Sequence, residues 1–261
     1  MKKLVVKIGG AAMDRPELLA QCAEAITAMA AEGNCVAVVH GGGAALTRTL
    51  QRMGKQSQFM AGLRVTDAET RDVALMVLAG VINKSVVAAL ARCGQSSIGM
   101  SGGDGLAFRA RRKNVPGNEA GFIGEIASAD ARWIDSIWNM GGVPVISSIA
   151  LGYDGEYYNV NADEMAAACA AACAADALIF LTDVAGVKGA DGEIIRWLSA
   201  KKIQSLRDGA VVSGGMLPKL NACEQALRGG VGRVRILAAQ EANVLPGFYR
   251  ARIQQGTEVV A

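Results

Sequence analysis

Histidine is almost missing from this 261-residue chain: His40 is its only one. A zinc site built on several imidazoles is thereby excluded, and so is a histidine relay anywhere but at position 40. The six cysteines, Cys22, Cys35, Cys93, Cys169, Cys173 and Cys223, contain no Cys-x-x-Cys pair that would suggest a metal or redox motif. Cys169 and Cys173, one turn apart in an alanine-rich stretch, read as small core residues. Only five prolines and 5% aromatics are present, so neither a proline-rich linker nor an aromatic box is available. Long hydrophobic runs are lacking too. The longest uncharged apolar stretch, Met165 to Ala175, falls far short of the roughly 20 residues that cross a bilayer. Met1-Lys2-Lys3 leads straight into an apolar strand and not into a signal-peptide core. Charge of one sign is also absent, since 27 basic residues face 24 acidic ones. That balance argues against a nucleic-acid or membrane partner. The expectation is a cytoplasmic globular protein with reduced thiols.

Glycine, by contrast, is abundant, with 32 residues and no collagen-like period. Short apolar runs alternate with longer helical patterns. Strands are expected at Leu4–Ile8, Cys35–Val39, Ser97–Met100, Val143–Ile146, Leu178–Leu181 and Val234–Leu237. Helices are expected over about Glu17–Ala31, from the glycine triplet to about Met53, and along the pattern after Thr66. This alternation predicts an α/β fold with an open, mainly parallel β-sheet sandwiched by helices. Arg109 to Tyr158 is the exception and reads in part as hairpins. No linker or composition shift divides the chain. A single domain over 1–261 is expected, with two lobes on one continuous sheet, about 1–175 and about 176–261.

In such sheets ligands gather at the carboxyl ends of strands, where glycine-rich turns and helix N-termini offer N–H groups to anions. Four turns qualify: Gly9-Gly10, Gly41-Gly42-Gly43, Gly102-Gly103-Asp104-Gly105 and Gly214-Gly215. Each is equally compatible with a plain tight turn. No GxxxxGK[ST] loop is present, and no strand carries a GxGxxG with an acidic residue about 20 positions on, which leaves a dinucleotide dehydrogenase little support. Lys7 interrupts a strand of Leu, Val and Ile, where a buried ammonium needs an anionic partner. Lys219 follows a glycine turn at a helix start, the wrong end for stability and the right end for a phosphate. Asn159, Asn161 and Asp163 alternate along an extended segment, with Asp163 expected to cap a helix from Glu164. Thr66-Asp67-Ala68-Glu69 reads as a capping box.

These segments carry a resemblance. Lys7-x-Gly9-Gly10, His40-Gly41-Gly42-Gly43, Gly62-Leu63-Arg64-Val65-Thr66-Asp67, Asn159-x-Asn161-Ala162-Asp163, Leu181-Thr182-Asp183-Val184-x-Gly186-Val187 and Ser213-Gly214-Gly215-Met216-x-Pro218-Lys219 stand in one order along the chain. That order resembles the acetylglutamate kinases of the amino acid kinase family, over essentially the whole length. The resemblance implies ATP-dependent phosphorylation of the side-chain carboxylate of N-acetyl-L-glutamate in arginine biosynthesis, with Mg²⁺ held mainly by the nucleotide phosphates. It implies Lys7, Lys219 and Asp163 as catalytic residues, and Gly42, Gly43, Arg64 and Asn159 as binders of the acyl amino acid. It also implies Gly9, Gly10, Asp183, Val184, Ala185, Gly186, Val187, Lys188, Val211, Val212 and Ser213 as nucleotide-binding, and no protein ligand to a metal. A carboxylate with a pKa near 4.3 is ionised at neutral pH, so its attack needs no general base and one histidine suffices.

Three alternatives stay open on sequence grounds. The same chemistry could act on succinylglutamate or a carrier-bound aminoadipate, to which the basic run Arg109-Ala110-Arg111-Arg112-Lys113 bears a likeness. A non-catalytic amino-acid-sensing domain is a more distant reading, since all three charged reacting residues are present. Ala44-Ala45 departs from the Pro-Glu common in the family. The stripe Val73, Met76, Val77 suits pairing with its own copy about a two-fold axis, so a homodimer is expected, with packing on the sheet as the plain alternative. With the first strand beginning by about Lys3, insensitivity to arginine is expected.

Overall fold

The first strand explains why one lysine stands out. In β1 (Lys3–Ile8) the side chains of Leu4, Val6 and Ile8 enter one hydrophobic cluster and Val5 enters another, on the opposite face. Both faces are covered, so beyond the half-buried Lys3 at its start the strand is apolar except at Lys7, which shares the face of Val5.

The computed structural model describes residues 1–60, 62–114, 121–209, 211–212, 214–248 and 254–260. From β1 the chain runs through the short α1 (Gly10–Met13) and α2 (Pro16–Ala31) to β2 (Cys35–His40) and α3 (Gly43–Arg52). A small hairpin, β3 (Phe59–Met60) and β4 (Leu63–Arg64), precedes one continuous helix. That helix comprises α4 (Ala68–Ala74), a π-helical stretch at Leu75–Ile82, and α5 (Asn83–Arg92). Next come β5 (Ser97–Met100), β6 (Phe108–Arg112), β7 (Ile123–Ala129), α6 (Arg132–Asn139), β8 (Val143–Ser147), β9 (Ile149–Gly152) and β10 (Tyr157–Val160). The chain finishes with α7 (Ala162–Ala172), β11 (Ala177–Thr182), β12 (Trp197–Ser199), α8 (Ala200–Asp208), α9 (Met216–Arg228), β13 (Arg233–Ala238) and β14 (Thr257–Val260).

One eight-stranded sheet runs in the order β12-β14-β13-β11-β1-β2-β8-β5. Every neighbouring pair is parallel except β13 and β14, which are antiparallel. The open, mainly parallel sheet read from the alternating pattern is therefore present. Strands from before residue 172 build one half of it and strands from Ala177 onward the other. Between Phe108 and Val160 the expected hairpins instead close a small barrel of β6, β7, β9 and β10.

Two helix starts differ from expectation. Asp67, not Thr66, caps α4 by accepting from the Thr70 N–H at 2.9 Å, while the Thr66 hydroxyl donates to the Arg64 carbonyl at 2.8 Å. Glu69 does not close a capping box, because Lys55 engages it at 2.7 Å. The stripe on the long helix also divides: Val73 and Val77 are buried in a cluster with Leu46 and Leu50, whereas Met76 and Val81 are exposed. The 25-residue helix Ala68–Arg92 is long and apolar enough to cross a membrane by length and composition, but half of its most apolar window is buried in the protein.

Candidate active site

Strand register brings the site together. Lys7 in β1 lies beside Phe180 in β11, and α7 and α9 pack over that face of the sheet. Asp163, the second residue of α7, reaches down to Lys7 at 2.7 Å, and Lys219, in the first turn of α9, donates to the same carboxylate at 2.9 Å. Lys219 Nζ also lies 5.0 Å over the Phe180 ring. All three charged residues are buried. Two ammonium groups and one carboxylate leave a net positive charge in a desolvated place, a site suited to an anion.

The electrostatics agree. Burial pushes the Lys7 ammonium down from its ordinary range; Asp163 opposes this and Lys219 adds to it. Burial alone would raise the Asp163 carboxyl, but the two lysines outweigh it and hold it at about 2. The position of Asp163 in the first turn of α7 also favours its charged form.

Asp163 does not cap its helix, contrary to the sequence expectation. α7 begins at Ala162, and the Asn161 side chain accepts from the Asp163 and Glu164 N–H groups at 2.8 and 3.3 Å. Asn161 was thus overlooked as the cap, although an Asn followed three residues later by Glu is an N-terminus signature. A cleft of about 820 Å³ opens alongside, lined among others by Leu63, Asn161, Glu164, Leu217 and Pro218.

Two of the glycine turns, Gly9-Gly10 and Gly41-Gly42-Gly43, stand at the carboxyl ends of the central strands β1 and β2, whereas Gly102 follows the edge strand β5 and Gly214-Gly215 lies between α8 and α9. The Gly9 N–H donates to the Leu181 carbonyl at 2.8 Å, and a Cβ on Gly9 would meet that oxygen at 2.8 Å. Gly9 thereby adjoins Thr182, whose hydroxyl donates to the Asp183 carboxylate at 2.9 Å. Among the nucleotide-segment candidates, Val187 and Val212 are buried in the core, while Asp183, Val184, Ala185 and Lys188 are exposed and Gly186 is buried. Val211 lies at the surface as well; Ser213 falls outside the described residues. Gly102 and Gly103 do not join the site, packing instead on β9 and Tyr157.

Arg64 is the buried cation on the other side of the glycine triplet. Its guanidinium donates to the Gly43 carbonyl at 2.9 Å, to Thr47 Oγ1 at 2.7 Å and to the Ser57 hydroxyl, and lies 4.7 Å over the Phe59 ring. Desolvation draws its pKa down. Asn159 joins it through Thr66: the Asn159 amide donates to the Thr66 hydroxyl at 3.4 Å, and Thr66 donates to the Arg64 carbonyl. Thr47, Ser57 and Phe59 carry no motif and were not legible as partners of Arg64. Among the described residues, no group of three His, Cys, Asp or Glu side chains converges to hold a metal.

The basic run has partners within the fold. Arg109 donates to the Gly152 carbonyl at 2.7 Å, Arg111 to Glu125 at 2.6 Å and Lys113 to Glu164 at 2.7 Å. Arg112 lies 5.7 Å over Phe122. Arg111 and Lys113 both line the cleft beside Asn161 and Glu164.

Comparison with known proteins identifies the family. The model of the amino acid kinase family matches residues 2–238. The chain belongs to the amino acid kinase family. Within it, the chain is 64% identical over 260 residues to an acetylglutamate kinase of Acidobacterium capsulatum, covering 99% of each. It is 52% identical over 259 residues to an acetylglutamate kinase of Koribacter versatilis, again covering 99% of each. In three dimensions it is similar to the N-acetylglutamate synthase of Neisseria gonorrhoeae complexed with coenzyme A and N-acetyl-glutamate. That match has a TM-score of 0.88 at 25% identity and covers all of this chain and 59% of the synthase. The family match and the similarity in three dimensions agree on the amino acid kinase fold.

Proposed function

We propose that this protein transfers the γ-phosphoryl group of ATP to the side-chain carboxylate of N-acetyl-L-glutamate, giving N-acetyl-L-glutamyl 5-phosphate for arginine biosynthesis in the cytoplasm. The buried cluster of Lys7, Asp163 and Lys219 carries this reading, because its excess positive charge is what two approaching anions require. Full-length similarity to acetylglutamate kinases supports the choice of acid.

In this reading residues 1–175 bind the acyl amino acid and residues 176–261 bind ATP. A carboxylate oxygen attacks the γ-phosphorus, the bond to the bridging oxygen of ADP breaks, and no proton moves. Lys7 and Lys219 stabilise the charge that spreads over the transferring group, and Asp163 spaces and orients them. Mg²⁺, carried mainly by the nucleotide phosphates, neutralises charge on the nucleotide. The N–H groups of Gly42 and Gly43 face the reacting anion. Arg64 grips the α-carboxylate with its planar fork and Asn159 holds the acylamino end. Gly9 and Gly10, with Asp183, Val184, Ala185, Gly186, Val187 and Lys188 and the segment Val211, Val212 and Ser213, embrace ATP largely through backbone groups.

A coupled ADP-release assay over a panel of N-acyl glutamates tests the reading, with hydroxylamine trapping of the acyl phosphate. N-acetyl-L-glutamate should be the best acceptor. Preference for N-succinylglutamate, or no turnover on any acidic amino acid, would refute it. The exposed Met76 and Val81 on the long helix suit a homodimer contact, which light scattering at twice the chain mass would support and a monomer mass would refute.

A further inference from the structure

Asn83 stands where the π-helical stretch Leu75–Ile82 gives way to α5, and it is a wholly buried amide at the end of an apolar run. Leaving such an amide unbonded would be costly, so its partners matter. Its Nδ2 donates to the Val145 carbonyl at 2.9 Å, lies 3.4 Å from the Met100 carbonyl and sits 3.1 Å from His40 Nε2. Lys84 Nζ approaches its Oδ1 at 3.3 Å. Two carbonyls on one side and an ammonium on the other fix the amide's orientation, so its nitrogen faces the imidazole.

That orientation selects a tautomer. Nδ2 only donates, so His40 Nε2 carries a lone pair. On the opposite side of the ring, Nδ1 lies 2.8 Å from the Gly41 carbonyl oxygen. That oxygen only accepts, so Nδ1 carries the hydrogen. One neutral form of the ring satisfies both contacts.

The Gly41 carbonyl shares a planar trans peptide with the Gly42 N–H, and the two point in opposite directions. Holding the oxygen on His40 therefore turns the Gly42 N–H away from the imidazole. It stands there at the N-terminus of α3, where first-turn amides have no intrahelical partner. The helix closes the other side: a Cβ on Gly42 would come 2.7 Å from Leu78 Cδ2 and 3.2 Å from Ile82 Cγ1. We propose that Asn83 and His40 are positioning residues for the phosphoryl transfer. Asn83 sets the imidazole tautomer, His40 holds the Gly41 carbonyl, and the Gly42 N–H is thereby aimed at the reacting anion. The proposal rests on the functional reading above, which seats that anion at Gly42.

Because His40 is the only histidine, its ring nitrogens can be read without assignment. A long-range ¹H–¹⁵N spectrum of the wild-type protein at neutral pH should show Nδ1 protonated and Nε2 bare. The opposite tautomer, or an averaged mixture, would overturn the relay. Asn83→Asp, of nearly the same shape, replaces a donor by an acceptor and should take the ring out of that tautomer. Its kcat for N-acetyl-L-glutamate should fall about ten- to a hundredfold, with KM for ATP moving less than about threefold, as for a misaimed oxyanion donor. An unchanged kcat would refute the role of Asn83. His40→Leu should lose as much, and His40→Asn, whose amide can still donate to the Gly41 carbonyl, should recover most of the loss. Equal loss in both would reduce His40 to a packing role and overturn the proposal. A wild-type protein with the expected tautomer but no acylglutamate kinase activity would refute the functional reading; the wrong tautomer in an active enzyme would refute the relay alone.

Discussion

Asn161 accepts the Asp163 N–H at 2.8 Å, and this contact leaves the Asp163 carboxylate free to bridge Lys7 and Lys219. Capping and charge pairing are thus divided between two residues that are neighbours but one. Had Asp163 capped the helix itself, its oxygens would have been drawn to backbone N–H groups and away from the lysines.

Asn161→Ala should therefore have two effects. Loss of the cap should cost about 1 kcal/mol of stability, measured as a shift in the urea midpoint. In addition kcat should fall, because the first turn that carries Asp163 loosens. A stability loss with kcat unchanged would show that the cap does not position Asp163.

Lys7→Ala and Lys219→Ala should each depress kcat by about 2–4 kcal/mol of transition-state stabilisation, roughly 30- to 1000-fold, with smaller changes in KM. Steady-state kinetics that left kcat intact would remove that lysine from the mechanism. Asp163→Ala poses a different problem, since it strands two buried ammonium groups together. It should destabilise the fold by about 3–5 kcal/mol, and ATP should raise its melting temperature more than it raises that of the wild type. An equal ATP shift in both would argue that the nucleotide's phosphates do not meet the lysines.

Arg64→Lys keeps the charge but loses the fork and the stacked contact with Phe59. KM for N-acetyl-L-glutamate should rise by tenfold or more, about 1.4 kcal/mol, while KM for ATP stays nearly unchanged. Equal weakening of both substrates in initial-rate measurements would exclude a dedicated carboxylate clamp.

Burial lowers the His40 pKa to about 4, so the folded protein keeps the ring neutral while the unfolded chain titrates near 6.5. As pH falls through that window the unfolded state takes up the proton first, and stability declines. The loss should start below about 6.5, amount to roughly 3 kcal/mol, and be complete near the folded-state value. Above that window the full contribution is present. Urea titrations of wild type and His40→Asn should give a stability difference that shrinks as pH falls; a constant difference would mean that His40 is not held neutral.

Much of the frame was legible from residue order alone. Leu4–Ile8, Cys35–Val39 and Leu178–Leu181 are apolar on both faces because each is sandwiched between helices, and periodicity reports that burial directly. Lys7 and Lys219 were legible for the opposite reason, each being a charge in a place where local structure gives it no reward. The cap at Asp67 and the start of α7 were misplaced by one or two residues, since Thr66, Asp67, Asn161 and Asp163 all have side chains able to cap.

The sequence by itself determined the class of fold and marked Lys7 and Lys219 as charges out of place, because burial pattern and turn chemistry are local properties; it read Asp163 as a helix cap, and one of its four glycine turns, at Gly102, packs away from the charged cluster. Only the tertiary structure decided who meets whom. Lys219 and Asp163 are 56 residues apart, and His40 and Asn83 are 43 apart. Their contacts depend on strand register and on the packing of α7, α9 and the π-helical stretch against the sheet. Such long-range juxtapositions are fixed by the sum of many weak packing terms, and no short segment of the chain records them.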